Sequence, residues 1–200
     1  VERSLMLLGV DRLQICYLHD PEHISFAAAM ASGGPVEALQ RLNETGVIQH
    51  LGIAGGPIDL MTQFVETDQF TVAISHNRYT LLNQEANRFW DVCQQHGVAA
   101  INAAPYGSGI LAKGPSTYPR YMYGQASDAY LQRAFSLEAL CLRYHVPLAA
   151  VALQFSMRDP RIASTIVGIS KSERLQETVE LAQQVLPEDI WKEIAEIPWN

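Results

Sequence analysis

The stretch PVEALQRLNETGVIQHLGIAGGPIDLMTQFVET, residues 35–67, decides the predicted fold because its hydrophobic period changes twice. From Pro35 to Gly46 the apolar residues recur at helical spacing, between a proline at a helix start and a terminal glycine. Val47 to Ile53 is a short apolar run typical of a strand, and Pro57 to Thr67 has helical spacing again. The stretch therefore predicts helix, strand and helix in succession, the alternation from which parallel α/β proteins are built.

The same alternation extends in both directions along the chain. Further strands are predicted over Arg12 to His19, Phe70 to Ser75, Val98 to Ala103 and Ile162 to Gly168. Val1 to Gly9 is predicted to form the last turns of an amphipathic helix. Further helices are predicted over Asn83 to Gly97, Asp128 to His145, Pro147 to Arg158, Lys171 to Val185 and Pro187 to Ile197, with a loop from Ala104 to about Ser127. Five strands separated by helices predict a parallel sheet buried on both faces, in one domain over residues 1–200. An open doubly wound sheet and part of a barrel both fit this order.

Composition excludes several classes of partner and compartment. A net charge of -7 over 200 residues, with no cluster of Lys or Arg, argues against binding to nucleic acid or to an anionic membrane surface. No apolar run approaches the roughly 20 residues that a membrane span requires. The three cysteines are widely spaced in apolar surroundings, which predicts buried reduced thiols and a cytoplasmic protein.

In either architecture the chemistry belongs at the carboxyl ends of the strands, and the first such end carries two histidines. The stretch YLHDPEH runs from Tyr17 to His23. His19 and His23 are four residues apart, a metal-binding spacing on a helix, but Pro21 blocks a continuous helix, so no metal site is expected. His19 is then a donor, an orienting group or an acid–base group, unless it only bonds nearby loop backbone.

Two glycine-containing strand ends are candidates for binding a ligand through backbone. GIAGG, from Gly52 to Gly56, either lets backbone approach a ligand or forms a tight turn; it has neither dinucleotide-fingerprint nor P-loop spacing. NAAPYGSGILAKG, from Asn102 to Gly114, could lie along a flat ligand, with Tyr106 stacking or donating, or could be a purely structural loop. The residues alone leave both choices open.

The last predicted strand end combines backbone amides with positive charge. Ser170 and Glu173 have capping-box spacing after Gly168, and Lys171 and Arg174 lie at the same helix start. Free amides and two cations together predict an anion site. A plain capped surface helix is the alternative.

Taken in order, four stretches resemble the aldo-keto reductase superfamily over essentially the whole chain. They are SLMLLGVDRLQICYLHDPE, GVIQHLGIAGG, NAAPYGSGIL and IVGISKSERLQETVE. RYTLLNQ, from Arg78 to Gln84, and the small residues before SGIL resemble the sugar-oxidising branch, the galactose, fucose and D-threo-aldose 1-dehydrogenases.

The resemblance implies an α/β fold, the C-terminal part (about strands 4 to 8) of a (β/α)₈ TIM barrel. It implies an NAD(P)-dependent oxidoreductase that interconverts an aldose, or a similar aldehyde or ketone, by hydride transfer. His19 falls on the family's active-site histidine. The family's catalytic aspartate, tyrosine and lysine belong to the first three strands, so we expect a chain truncated at its N-terminus with an incomplete catalytic site. The alternative is a non-catalytic nucleotide-binding or interaction module.

The resemblance also implies which residues bind NADP or NAD. Ala54 and Gly55 replace a Ser-Asn pair at the nicotinamide, His76 replaces a glutamine, and Ala103 replaces a stacking tyrosine. Tyr106 then supplies aromatic cover, and the remaining implied cofactor residues are Gly107, Ser108, Gly168, Ser170, Arg174 and Glu177. The partner is expected to be a small-molecule carbonyl compound or sugar.

Overall fold

Helices and strands alternate along the chain as predicted. The computed structural model describes residues 1–199 and divides them into two units: Val1–Ser75 with Glu85–Ile101, and His76–Gln84 with the chain from Asn102 onward. The elements up to residue 103 are α1 (Glu2–Leu8), β1 (Leu13–His19), a 3₁₀ helix (Pro21–His23), α2 (Phe26–Met30), α3 (Pro35–Glu44), β2 (Ile48–Gly55), α4 (Ile58–Val65), β3 (Val72–His76), α5 (Asn87–Gln95) and β4 (Ala99–Ala103).

The elements after residue 103 belong to the second unit. They are a 3₁₀ helix (Gly107–Gly109), α6 (Ile110–Lys113), β5 (Arg120–Tyr121), β6 (Gly124–Gln125), α7 (Asp128–Arg143), α8 (Leu148–Met157), β7 (Ile162–Ile166), α9 (Glu173–Gln183) and α10 (Asp189–Glu196). The main sheet has the predicted five strands, in the order β1-β2-β3-β4-β7. The pairs β1–β2 and β2–β3 are parallel, as helical crossovers require.

The core of the first unit is packed against β2. This strand has eight residues, and the last five, from Leu51 to Gly55, are all buried. Helix α4 contributes Phe64, whose ring contacts the rings of Phe26 at 4.9 Å and Phe70 at 5.7 Å between centroids. Tilted and edge contacts of this kind are favourable for aromatic pairs. Burial of consecutive residues from Leu51 to Gly55 covers both faces of this part of β2, whereas Gln49 and His50 are exposed.

The edge strands depart from the prediction that every strand is buried. Strand β1 contains no buried residue, and Ile15 within it is exposed. Strand β7 also contains none. These two strands occupy the ends of the strand order, where a strand has a neighbour on one side. The apolar sequence of a strand therefore did not determine its burial.

A close approach between β1 and β2 explains one glycine of the GIAGG stretch. Tyr17 lies directly opposite Gly52 in the parallel register. A Cβ atom on Gly52 would lie 2.3 Å from Cδ1 of the Tyr17 ring. Gly52 is therefore needed for packing within the sheet, which is a structural role.

We expect Gly52→Ala to lower the free energy of unfolding by about 1–3 kcal/mol, because the added methyl group forces the Tyr17 ring out of its position. Urea denaturation measures the change. The matched control is Gly124→Ala, where the nearest atom would be 3.9 Å from the new Cβ. Equal stabilities for the two variants would contradict the packing role.

The second unit is built around helices α7 and α8. Leu137 and Leu140 of α7, Val151 of α8 and Ile190 of α10 belong to one buried cluster. Among residues 1–199 no single helix is long and apolar enough to cross a membrane, and α7 with α8 satisfies that test only as a pair bent by 104°.

The cysteines are free of disulfide bonds, as predicted. Cys93 and Cys141 are buried, and burial raises the pKa of each thiol to about 12. Cys16 is half-buried, so the prediction of full burial is wrong for this residue.

The structure differs from the prediction at one helix start and in one predicted loop. The hydroxyl of Thr80 accepts hydrogen bonds from the amides of Leu82 and Asn83, a turn that delays the predicted helix to Asn87. The predicted loop from Ala104 to Ser127 contains two short helices and the β5–β6 hairpin. This segment is therefore structured, because its apolar residues Ile110 and Leu111 are fully buried.

Candidate functional site

In the first unit His19 ends β1 with its side chain exposed to solvent. His19 lies opposite Ala54 of β2 in the strand register, and the following amide of Asp20 donates to the Ala54 carbonyl over 2.8 Å. The imidazole side chain is 73% exposed, and its Nδ1 lies 3.3 Å from Oδ2 of Asp20. Strand pairing therefore fixes the backbone of His19, and the Asp20 carboxylate lies beside the imidazole. The imidazole itself remains accessible from solvent.

The chain turns sharply after His19. Asp20 has a φ of 49°, in the left-handed region, and Pro21 begins the 3₁₀ helix that ends at His23. His19 therefore belongs to a strand and His23 to a short 3₁₀ helix, so the two imidazoles do not share an α-helical face. Within residues 1–199, no group of three or more His, Cys, Asp or Glu side chains is arranged to hold a metal ion.

Ala54 and Gly55 complete the strand end beside His19. Ala54 is only 5% exposed and has no polar side-chain atom. A Cβ on Gly55 would lie 3.1 Å from Sδ of Met61 and 3.1 Å from Cδ of Pro21. The absence of a side chain at Gly55 therefore allows the Pro21 turn to pack against the end of β2, and neither residue offers a ligand more than backbone.

In the second unit the end of β3 leads to a buried asparagine. The ring of His76 lies edge-on to the ring of Tyr123, with 6.4 Å between centroids. The next residue, Asn77, is 1% exposed and has a φ of 56°. Its amide donates to the carbonyl of Ala103 over 3.3 Å, and its own carbonyl accepts from the hydroxyl of Tyr121 over 2.7 Å. Asn77 therefore fixes the end of β3 to the end of β4 and to the β5–β6 hairpin.

The loop after β4 is held in an unusual backbone conformation. Ala104, Gly107 and Ser108 all have positive φ, near 57°, 55° and 59°. Gly107 also has no room for a side chain, since a Cβ would lie 2.6 Å from the Tyr121 ring. The hydroxyl of Ser108 donates to Oδ1 of Asn77 over 3.4 Å. The loop is thus constrained on several sides, as expected at a site that orients a ligand.

A cavity of about 390 Å³ opens beside this loop. Asn77, Ala104, Ser108, Tyr118, Arg120 and Tyr123 line it. Its volume lies within the range of small-molecule pockets. The sequence had singled out Ser108 among these residues, whereas Tyr118, Arg120 and Tyr123 come from the segment predicted as irregular loop.

Tyr106 is linked electrostatically to the start of α9. Its hydroxyl is buried and has no hydrogen-bond partner among the described residues. Burial raises the pKa of this hydroxyl, Glu177 raises it further, and Arg174 opposes the shift. The charges of Glu177 and Arg174 therefore act on the Tyr106 hydroxyl, while the ring of Tyr106 packs on the buried cluster of its own unit.

The helix start after β7 differs from the predicted capping box. Helix α9 begins at Glu173 with Ser172 at the N-cap, and no side chain caps it. Ser170 lies two residues earlier in irregular chain, so the capping role predicted for it is wrong. Gly168 is also outside regular structure, with open space around it. Arg174 and Lys171 form no ion pair with another described residue, which leaves two cations available at this terminus.

The sequence model of the Aldo/keto reductase family matches residues 1–198. The chain belongs to the aldo/keto reductase family. The resemblance predicted from four strand ends is therefore confirmed, and the fold and strand ends described above are those of an aldo/keto reductase chain.

Curated relatives of this aldo/keto reductase chain include three dehydrogenases. D-threo-aldose 1-dehydrogenase from Pseudomonas sp is 34% identical over 198 residues, covering 98% of this chain and 60% of that protein. Pyridoxal 4-dehydrogenase from Microbacterium luteolum is 28% identical, covering 94% and 57%. L-galactose dehydrogenase from Arabidopsis thaliana is 26% identical, covering 90% and 55%. The chain spans 55–60% of the length of these relatives.

Solved structures agree with the fold. An aldo-keto reductase from Bacillus halodurans in its apo form superposes with a TM-score of 0.76 at 19% identity, covering 98% of this chain and 65% of that one. Its holo form gives a TM-score of 0.73. The α/β fold with a five-stranded sheet is therefore that of the family.

Proposed function

We propose that this protein is an NAD(P)-dependent oxidoreductase that interconverts an aldose, or a similar aldehyde or ketone, and its oxidised or reduced partner by hydride transfer. Family membership and the 34% identity to D-threo-aldose 1-dehydrogenase support the reaction class. The observation that carries the proposal is the position of His19, an exposed imidazole at the carboxyl end of a parallel strand. Active sites of (β/α)₈ barrels are built at that end of the strands.

In this proposal β1 to β4 and β7 are strands 4 to 8 of a (β/α)₈ barrel. The match to 65% of a solved aldo-keto reductase supports the assignment. His19 then donates a hydrogen bond to the reacting oxygen of a small-molecule carbonyl or sugar substrate and orients it. Of the four catalytic groups that the resemblance implies, residues 1–200 supply His19, so we propose that these residues are not sufficient for turnover. The reduced cysteines support a cytoplasmic location.

The residues of the second unit fit the phosphate end of NADP or NAD. Lys171 and Arg174 have no carboxylate partner among the described residues, and Tyr106 has a buried hydroxyl that lacks an acceptor. We assign the phosphates to Gly168, Ser170 and Arg174, with Glu177 beside them. In the second unit His76 and the Ala103–Ser108 loop are assigned to the nicotinamide, which supplies the hydride chemistry. In the first unit Ala54 and Gly55 are assigned as cofactor residues that offer backbone only.

Cofactor binding tests this assignment through Arg174. We expect Arg174→Gln to weaken NADPH binding about tenfold or more while changing NADH affinity little, because a charge-assisted hydrogen bond to the additional phosphate is lost. Fluorescence titration of purified protein with each nucleotide measures both affinities.

Arg88→Gln is the matched control, since it removes the same charge from an exposed position on α5. Equal loss of NADPH affinity in both variants would show a general charge effect and contradict the assignment. Tight NADPH binding without turnover by the protein from the whole reading frame would favour the non-catalytic nucleotide-binding module instead.

A further inference from the structure

A cavity of about 550 Å³ lies in the second unit at the amino-terminal end of β7. Its walls include four aromatic side chains, Tyr79, Phe155, Trp191 and Trp199. Tyr79 and Phe155 stack with 5.0 Å between ring centroids. The volume is typical of small-molecule pockets, and flat apolar walls of this kind suit a planar ligand.

Three arginines also line this cavity, and two of them are paired with carboxylates. Arg158 donates two hydrogen bonds to Glu188, over 2.9 and 3.0 Å. Arg161 donates to Asp159 from both Nε and Nη2, over 2.9 and 2.6 Å. These two guanidinium charges are therefore compensated within the protein.

Arg133, the third arginine, is buried and has no counter-charge among the described residues. Its residue is 4% exposed, and no carboxylate of residues 1–199 lies within ion-pair distance of it. Its Nε donates to the carbonyl of Leu81 over 2.7 Å, and its Nη1 donates to the carbonyls of Ile197 and Pro198. No acceptor among the described residues is bonded to Nη2. Burial lowers the pKa of the guanidinium to about 10, because the charged form is desolvated.

The guanidinium of Arg133 also lies against an aromatic wall of the cavity. Its central carbon is 3.4 Å from the centroid of the Trp199 ring. Carbonyl dipoles and the ring face stabilise the cation in part, but neither replaces an anion in a desolvated position. A purely structural role would use Nε to hold Leu81 and Nη1 to hold the C-terminal segment, and would leave the charge without an anionic partner among the described residues.

We propose that this cavity binds a small organic anion with a planar apolar body, whose carboxylate pairs with Arg133 and whose ring lies between the aromatic walls. The location separates it from the proposed cofactor residues of the same unit. Asp159 and Arg161 precede β7, whereas Gly168 follows it. A strand of this length extends about 16 Å at roughly 3.3 Å per residue. The site is therefore additional to the proposed redox function and does not depend on it.

Cinnamate and its neutral amide, cinnamamide, test the charge requirement on the wild-type protein. Isothermal titration calorimetry should show saturable binding of cinnamate to one site, with cinnamamide about tenfold or more weaker, because the charge-assisted hydrogen bond is lost. The affinity for cinnamate should not change when NADPH is added. No saturable cinnamate binding, equal affinity for the amide, or competition with NADPH would each overturn the proposal.

Substitution of Arg133 tests whether this residue binds the carboxylate of cinnamate. Arg133→Met should weaken cinnamate binding about tenfold or more and leave cinnamamide binding nearly unchanged. Arg143→Met is the matched control on α7, since Arg143 is exposed and pairs with Glu193. Cinnamate affinity that is retained in folded Arg133→Met, or lost equally in Arg143→Met, would contradict the proposal. If Arg133→Met does not fold, the comparison of cinnamate with cinnamamide on wild-type protein tests whether binding requires the negative charge of the ligand.

Discussion

Replacement of Asp159 by asparagine is expected to lower the free energy of unfolding by about 3–5 kcal/mol, because it breaks a buried charge pair on one side. The Asp159 side chain is 7% exposed, and that of its partner Arg161 is 18% exposed. Tyr79 donates its hydroxyl hydrogen to Oδ2 of Asp159 over 2.6 Å, and the backbone amide of Arg161 donates to Oδ1 over 2.9 Å. In asparagine an NH₂ group replaces one of the two carboxylate oxygens, and this donor would face the donors of Tyr79 or Arg161. Chemical denaturation of wild-type and variant protein measures the difference.

The pH dependence of the difference provides a second test. Burial alone would raise the pKa of Asp159, but hydrogen bonds from Arg161 and Tyr79 outweigh it and lower the pKa from 3.8 to about 2. A carboxylate with a lowered pKa contributes stability above its unfolded pKa, and that contribution is lost as the pH falls through its folded pKa. The advantage of wild type over Asp159→Asn should therefore be constant near neutrality and decrease between pH 3.8 and about 2.

Asp189→Asn is the control for this substitution. Asp189 pairs with Lys192 on the surface, where both side chains are more than 70% exposed, and solvent screens such pairs. Its effect on unfolding should be much smaller than that of Asp159→Asn. Similar effects for the two variants, or no acid-dependent difference, would show that the buried pair does not stabilise the fold as argued.

His19→Ala should reduce turnover by about 100-fold or more in the protein that has the proposed activity, since a positioned donor to the reacting oxygen typically contributes this factor. Stability should change little, because the imidazole is 73% exposed. Initial rates with saturating cofactor, together with thermal unfolding curves, separate the catalytic effect from the structural one.

His23→Ala is the matched control, because His23 is an exposed histidine in the turn that follows the same strand. We expect its turnover to remain close to that of wild type. Comparable losses in both variants would mean that the loop conformation, rather than the His19 imidazole, supports activity.

The elements predicted best from the sequence were those whose periodicity and end residues agreed. Helix α3 begins at Pro35 as predicted, and β1 ends at His19, because proline at a helix start and a proline after a strand both restrict the backbone. Two helix starts were misplaced, and local hydrogen bonds explain the first of them. Thr80 competes with helix formation near Asn83, and Ser172 takes the N-cap position that spacing gave to Ser170.

The parts of the candidate site that the sequence did not predict depend on contacts between distant residues. Asn77 is fixed by Ala103, Ser108 and Tyr121, the last of them 44 residues away. Gly107 is required by the Tyr121 ring as well as by its positive φ. The sequence also did not predict the charge of Arg133 to be uncompensated, because only the packed structure shows that no carboxylate of residues 1–199 pairs with it. The strand ends carried the recognisable motifs, whereas the cavities are formed by side chains from loops and helix ends.

The proposed NAD(P)-dependent oxidation of an aldose is tested most directly by the reduction of NADP. Absorbance measures this reduction with purified protein from the whole reading frame over a panel of aldoses. We expect NADPH formation that requires the sugar and falls about 100-fold or more in the His19→Ala variant. A folded protein that reduces neither NADP nor NAD with any of the aldoses, and that binds neither cofactor in titration, would contradict it.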